Sequence, residues 1–239
     1  MPAPVYHYER VASTMDVIHA LAEQGAEPGT VVVAGEQLEG RGSRGRPWHS
    51  PPGGLWLSAL FRPDAAGAAE VMSLRVGLAL ARALDRFVTA RIRIKWPNDL
   101  MLGDRKVGGV LCEARWQGTT LAWVAAGVGL NVLNPIPEEL RGVATSLVQE
   151  QEDVPLGVLL DAVVASIREV DLCASRLSAG ELAQFAGRHW LNGRDIREPV
   201  SGKIAQVESD GTLQVRVAGG SSVQLRNASI ELDGVTPIA

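Results

Sequence analysis

The chain has 239 residues, with 23 Lys and Arg against 27 Asp and Glu and a formal net charge of -4. Hydrophobic residues make up 46% and charged residues 21%, which excludes a disordered or fibrous chain. The mild acidity argues against a protein whose main task is to neutralise nucleic-acid phosphates, because that needs a basic face.

The alternation at residues 5–9 reads as a short strand. Ser13-Thr-Met-Asp16 sets a hydroxyl three residues ahead of an acid, the capping-box arrangement in its Asp form, and predicts a helix over residues 14–24. Gly25 and Pro28-Gly29 end it. Residues 30–37, with three consecutive valines, read as a buried strand. Residues 38–54 are rich in Gly, Pro and Arg and read as a long loop, and residues 55–61 resume as a strand. Over residues 68–88, Leu74, Leu78, Ala81, Leu84 and Val88 recur at helical spacing, with Arg75, Arg82 and Arg86 expected on the opposite, solvated face.

Residues 91–96 alternate with period two and predict a half-buried strand that Pro97 ends. Residues 100–115 read as a hairpin turning at Gly103-Asp104, and residues 119–132 as a further strand. Residues 134–147 form a Pro-rich loop. Residues 155–187 read as mostly helical, with Leu159, Val163, Ile167 and Val170 on one stripe. After Trp190 the aromatic residues stop, and residues 200–207, 212–217 and 222–226 read as short strands turning at Gly211 and Gly219-Gly220. The expected fold class is therefore α+β: a mixed-sheet domain over residues 1–190, then a small β module of about five strands over residues 191–239.

The N-terminal residues have no apolar core, so no signal peptide is expected. The apolar-leaning run at residues 121–133 is interrupted by Gly127, Gly129 and Asn131, short of the roughly 20 residues a membrane helix needs. Cys112 and Cys173 form no C-x-x-C pair, so neither a disulfide framework nor a structural zinc site is expected. A reducing, cytoplasmic setting fits this usage, with Cys112 as an inert core thiol.

Three segments carry the chemistry. Gly40-Arg-Gly-Ser-Arg-Gly45 satisfies G-x-G-x-x-G, but a dinucleotide fingerprint must open a helix, and Arg46-Pro-Trp-His-Ser-Pro-Pro cannot. What remains is a glycine loop carrying Arg41, Arg44 and Arg46, equally readable as a solvated basic loop or as an anion site of forked donors and close backbone amides. The second segment is Lys95-Trp-Pro-Asn-Asp-Leu100, leading to Lys106 and Gly108-Gly109. Here Asn98 stands at a turn, and the glycines leave room beside the backbone. The third is a small-residue strand ending at Asn131. There is no P-loop, H-E-x-x-H or nucleophile elbow, and His7, His19, His49 and His189 have no metal-ligand spacing.

Together these segments resemble the biotin–protein ligases. The resemblance rests on Ser13-Thr14, Gln37, Gly40-Arg-Gly-Ser-Arg-Gly-Arg-Pro-Trp48, Lys95-Trp-Pro-Asn-Asp-Leu100, Lys106-Val-Gly-Gly-Val-Leu111 and Gly127-Val-Gly-Leu-Asn131, in that order. It implies a catalytic domain of the biotin/lipoate ligase type followed by an SH3-like β barrel. It also implies a two-step reaction. Biotin is activated with ATP, assisted by Mg²⁺, to biotinyl-5′-AMP and pyrophosphate. The biotinyl group then passes to a lysine of a biotin carrier domain, typically of acetyl-CoA carboxylase.

By the same resemblance Ser13, Thr14 and Gln37 hold the ureido end of biotin, with Arg41, Gly42, Ser43, Lys106, Gly108 and Gly109 along the rest of it. Arg41, Arg44, Arg46, Trp48, Lys95, Asn98 and Asn131 fall on the ATP and adenylate side, and Lys106 and Arg41 are the catalytic cations. The residues that would hold the metal are not implied. Met15 stands where the family often has Asn, and Ser43 where it commonly has Arg. Some relatives begin with a winged-helix DNA-binding domain; only about a dozen residues precede Ser13, so neither that domain nor specific DNA binding is expected. No membrane association is expected, and an exposed strand edge leaves room for a homodimer. Two competing readings are a lipoate-attaching ligase on the related fold and a non-enzymatic RNA-binding module. The second is disfavoured because the β module lacks aromatic side chains on which bases stack.

Overall fold

The computed structural model describes residues 2–150, 154–172, 174–226 and 228–232; Cys173 lies outside them. The chain opens with β1 (Val5–Val11), α1 (Thr14–Glu23), β2 (Val31–Gln37) and β3 (Leu55–Phe61). Then come α2 (Ala68–Leu84), β4 (Arg93–Lys95), β5 (Asp99–Leu102), β6 (Arg105–Gln117) and β7 (Thr120–Leu130). The short α3 (Leu147–Glu150), α4 (Leu156–Arg168) and α5 (Ala179–Ala186) complete the first part. The second part is β8 (Asp195–Glu198), β9 (Gly202–Val207), β10 (Leu213–Arg216), β11 (Ser222–Leu225) and β12 (Glu231–Leu232). Among the described residues, no helix is long and apolar enough to cross a membrane.

The first seven strands form one mixed sheet in the order β1-β2-β3-β7-β6-β5-β4, parallel at β1–β2 and antiparallel elsewhere. The last five form an antiparallel sheet in the order β11-β10-β9-β8-β12. This is the α+β architecture expected from the strand and helix periods. The second sheet is tied to the first part by Trp96, whose indole N–H donates to Gly211 O at 2.9 Å, and by Arg226, which pairs with Glu70 on α2.

Strand alternation divides the work of the large sheet. Val124, Ala126, Val128 and Leu130 of β7 join the main core under α2, with Leu74, Leu78 and Leu84. The odd positions Trp123 and Ala125 face α1, packing with Met15, Ile18 and Ala22. Gly127 and Gly129 lie on this same face, where a Cβ would stand 2.9 Å from Met15 Sδ and 2.5 Å from Trp48 Nε1 respectively.

Three local expectations are corrected. The capping box at Ser13 does not form: Ser13 Oγ accepts from Met15 N at 3.3 Å, while Asp16 turns away to Arg41. Arg75 is not on a solvated face but is 3% exposed, because α4 and α5 cover α2. Its guanidinium donates to Glu181 Oε1 and to the carbonyls of Asp171, Ala174 and Arg176. Val170 falls beyond the helical stripe, because α4 stops at Arg168 and the mostly helical stretch at 155–187 is divided into two helices, the second opened by a capping box between Ser178 and Glu181.

Candidate active site

Beyond β2 the glycine loop returns on itself as a narrow hairpin. Gln37 N donates to Ser50 O at 3.0 Å, Trp48 N to Gly40 O at 2.8 Å and Gly42 N to Arg46 O at 2.7 Å. Its tip is a turn over Ser43–Gly45, with Arg44 at φ 62° and Gly45 at φ 71°. Gly40 is needed for the crossing itself: a Cβ there would lie 2.4 Å from Trp48 O. The glycines therefore build a flap rather than a helix start, in line with the failure of the dinucleotide fingerprint.

Beneath the flap lies a narrow chamber of about 50 Å³, lined among others by Ser13, Thr14, Gln37, Arg41, Gly42 and Ser43. Its polar end is oriented in advance. Thr14 N and Oγ1 both donate to Gln37 Oε1, at 2.8 and 3.0 Å, so Gln37 turns its amide nitrogen to Ser50 Oγ at 2.9 Å. Thr14 Oγ1 also meets Ser58 Oγ at 2.8 Å. The wall below is the backbone of Gly127 and Gly129, and Met15 fills the space over Gly127.

Lys106 stands where this chamber meets a wider one. In the β5–β6 ladder Leu100 pairs with Gly108 but Met101 with Lys106, so Val107 is an extra, bulged residue. A bulge re-aims neighbouring side chains, and here Lys106 lies beside Gly109, where a Cβ would be 3.5 Å from Lys106 Cε. The Lys106 ammonium pairs with Asp99 Oδ1 at 2.6 Å, the two side chains being 20% and 18% exposed. It also lies 4.9 Å from the centre of the Trp48 ring. Trp48 Nε1 is buried without a hydrogen-bond partner and lies on Gly129.

The wide chamber has a volume of about 770 Å³, within the roughly 300–1,000 Å³ of small-molecule sites. Arg44, Arg46, Lys95, Trp48, Asn98 and Asn131 line it, together with Ala228, Ser229 and Ile230 just before β12 and Glu231 at its start. Burial lowers the Lys95 pKa, its ammonium lying 5.7 Å from the Trp190 ring centre. Asn98 Nδ2 donates to Val110 O at 2.8 Å, and Asn131 Nδ2 to Thr145 O at 3.1 Å, so both amides also hold the frame of the site. Burial pushes the Cys112 thiol on this wall up to about 12, so it is no nucleophile at neutral pH.

Gly42, Ser43, Trp48, Asn98 and Lys106 line both chambers. The two spaces thus bring together every residue expected at the site except Gly108, which lines neither. A Cβ on Gly108 would meet Leu130 Cδ2 at 2.5 Å, so this glycine serves strand packing. Sequence reasoning assigned no role to Asp99, Ser58, Leu111 or residues 228–231. Asp99 lay within a motif already singled out, but its partner is set by the bulge, and residues 228–231 reach the site only through tertiary packing. Among the described residues, no group of three or more His, Cys, Asp or Glu could hold a metal ion.

A mixed sheet carrying two joined chambers, with cations at and around their junction, defines a small-molecule site for anions rather than a flat nucleic-acid face. The chain belongs to the biotin/lipoate A/B protein ligase family, whose sequence model matches residues 8–131. Among relatives, the bifunctional ligase/repressor BirA of Bacillus subtilis is 36% identical over 150 residues, covering 61% of this chain and 46% of that protein. The biotin–[acetyl-CoA-carboxylase] ligase of Paracoccus denitrificans is 41% identical over 104 residues, covering 42% and 43% of the two chains. These matches span less than half the length of either relative. A mutant biotin protein ligase of Aquifex aeolicus, solved in complex with biotin, superposes with a TM-score of 0.80 at 26% identity, covering 97% of this chain and 99% of that one.

Proposed function

We propose that this chain is an ATP-dependent biotin–protein ligase. The observation that carries the reading is the position of Lys106, which lines both chambers. An acid entering the narrow chamber and a polyphosphate in the wide one would meet at a single ammonium. Two anions brought into contact need a fixed positive charge to offset their repulsion, and that charge counts most where water is excluded.

In this reading Ser13, Thr14 and Gln37 receive the ureido group of biotin, whose donors and acceptor suit a chamber end made of a hydroxyl, a second hydroxyl and an amide. A lipoyl dithiolane offers no hydrogen-bond donors of its own to such a polar end. The biotin carboxylate lies toward Lys106 and Arg41, beside Gly42, Ser43 and Gly109. ATP occupies the wide chamber among Arg44, Arg46, Trp48, Lys95, Asn98 and Asn131. A carboxylate oxygen attacks the α-phosphorus, the bond to the β-phosphate oxygen breaks, and pyrophosphate leaves.

In the second step the amine of a carrier-domain lysine attacks the acyl carbon; AMP departs with the bond pair, and the amine loses a proton. No enzyme nucleophile takes part. Mg²⁺ belongs here as part of the substrate, MgATP, since it is usually held by phosphates with one or two carboxylates. The carrier is of the acetyl-CoA carboxylase type, following the name of the Paracoccus relative, and a soluble, cytoplasmic setting suits such a substrate. Residues 228–231 of the β module help to line the nucleotide side. Incubation with ATP, labelled biotin and a carrier domain tests the proposal. Label must appear on the carrier only when ATP is present, and failure to form biotinyl-5′-AMP would overturn it.

A further inference from the structure

Asp16 is the member of the Ser13-Thr-Met-Asp16 motif that the helix start does not use. Its two carboxylate oxygens accept a forked pair from Arg41, Nη2 to Oδ1 at 2.5 Å and Nη1 to Oδ2 at 3.1 Å. Arg41 is in the outgoing arm of the glycine hairpin and Trp48 in the returning arm. The hairpin is thus held on the α1 side by Asp16 and on the sheet side by Trp48 lying on Gly129 and beside Lys106. The chamber it covers is narrow, about 50 Å³. Arg41, Gly42, Ser43 and Trp48 of the hairpin line it, so lifting the hairpin widens it. Between the two holds, the Asp16 pair is the more exposed and the easier to break: its side chains are 52% and 35% exposed, whereas the Trp48 indole nitrogen is buried.

We propose that Asp16 is a positioning residue for the reaction, clasping Arg41 so that the hairpin stays down over the narrow chamber and retains what lies beneath it. The clasp rests on the biotin-ligase reading only for the identity of the retained acid. Arg41 is placed over the chamber by a partner outside it, and that pair shares no atom with the Thr14–Gln37 contacts or the Lys106–Asp99 pair.

The test is amide hydrogen exchange on the full chain, comparing wild type with Asp16→Asn and Asp16→Glu. Asp16→Asn should speed exchange across residues 40–48 by about two- to fivefold, the range an exposed ion pair supports. Exchange in α1 and α2 should not change. Asp16→Glu should stay near wild type, and 0.5 M salt should move wild type toward the Asn variant. Unchanged exchange in the hairpin overturns the proposal. So does an equal rise in α1, which would mean that Asp16 acts only on the helix end. In parallel, biotin dissociation followed by tryptophan fluorescence should quicken by the same factor in Asp16→Asn. If the exchange result holds but wild type binds no biotin, the clasp stands and the ligase reading falls. If biotin binds and its dissociation does not change, the clasp does not govern retention and the proposal fails.

Discussion

Replacing Lys106 by alanine removes the ammonium at the junction and leaves Asp99 behind. Two effects add. The first is the lost charge-assisted contact to the reacting anions, about 1.5–3 kcal/mol. The second follows from the 2.6 Å pair with Asp99: without Lys106, that largely buried carboxylate faces the incoming acid and phosphate with its paired ammonium gone. At an effective dielectric of about 20, two unit charges ~6 Å apart repel by roughly 3 kcal/mol. The sum, roughly 4–6 kcal/mol, corresponds to about 10³–10⁴ in rate. The lost contact alone, at about 1.5 kcal/mol, sets a lower bound of about tenfold. Biotin-dependent exchange of labelled pyrophosphate into ATP measures the step directly. The double variant Lys106→Ala/Asp99→Asn should regain about tenfold or more over the single one, since groups in contact are not additive. Exchange within twofold of wild type in Lys106→Ala would refute the junction cation. A double variant no faster than the single would refute the part assigned to Asp99.

Ser43 lines both chambers, so Ser43→Arg should slow dissociation of biotinyl-5′-AMP by about tenfold, a charged forked donor replacing one neutral hydroxyl. An unchanged rate would show that other groups already hold the phosphate. Arg75→Ala leaves Glu181 Oε1 and three backbone carbonyls without their partner and should cost about 3 kcal/mol of stability; an unshifted urea midpoint would refute the count of partners. Burial pushes the His189 imidazole down from 6.5 to about 4, so the unfolded chain takes up that proton first. The stability this histidine contributes is therefore complete above about pH 6.5 and is lost as pH falls toward 4, on the order of 3 kcal/mol. Urea titrations between pH 7 and 4.5 should show that loss in wild type and a flatter profile in His189→Leu.

Much of the catalytic frame was legible because its signals are local. Pro97 ends a strand, Gly103 turns a hairpin, and alternating Ile92, Ile94 and Trp96 point inward, all buried in the core. The motif residues could be assembled because they sit at strand ends and in one loop, where order along the chain follows order in space. What escaped depended on partners distant in sequence. Arg75 lies on the polar side of a helical wheel, yet α5 covers it more than 100 residues later. Asp16 has the spacing of a capping box, but Arg41 competes for its carboxylate and wins with two donors. The Lys106 side chain faces the site because of a single bulged residue, and nothing in Arg-Lys-Val-Gly-Gly announces where the ladder slips.

The bare stretch of β7 beneath the narrow chamber has a consequence for how this protein can change its preferences. At Gly127 and Gly129 the surface against Met15 and Trp48 is main chain alone, so no smaller residue exists to put there. Any substitution adds volume, and a methyl group at either place already collides with a neighbour. Mutation can therefore only shrink the chamber from that side. Evolution or a designer seeking a longer or bulkier acid would have to work from above, at Met15 or in the hairpin. The strand is in effect a fixed die, and the variable half of the mould is the flap.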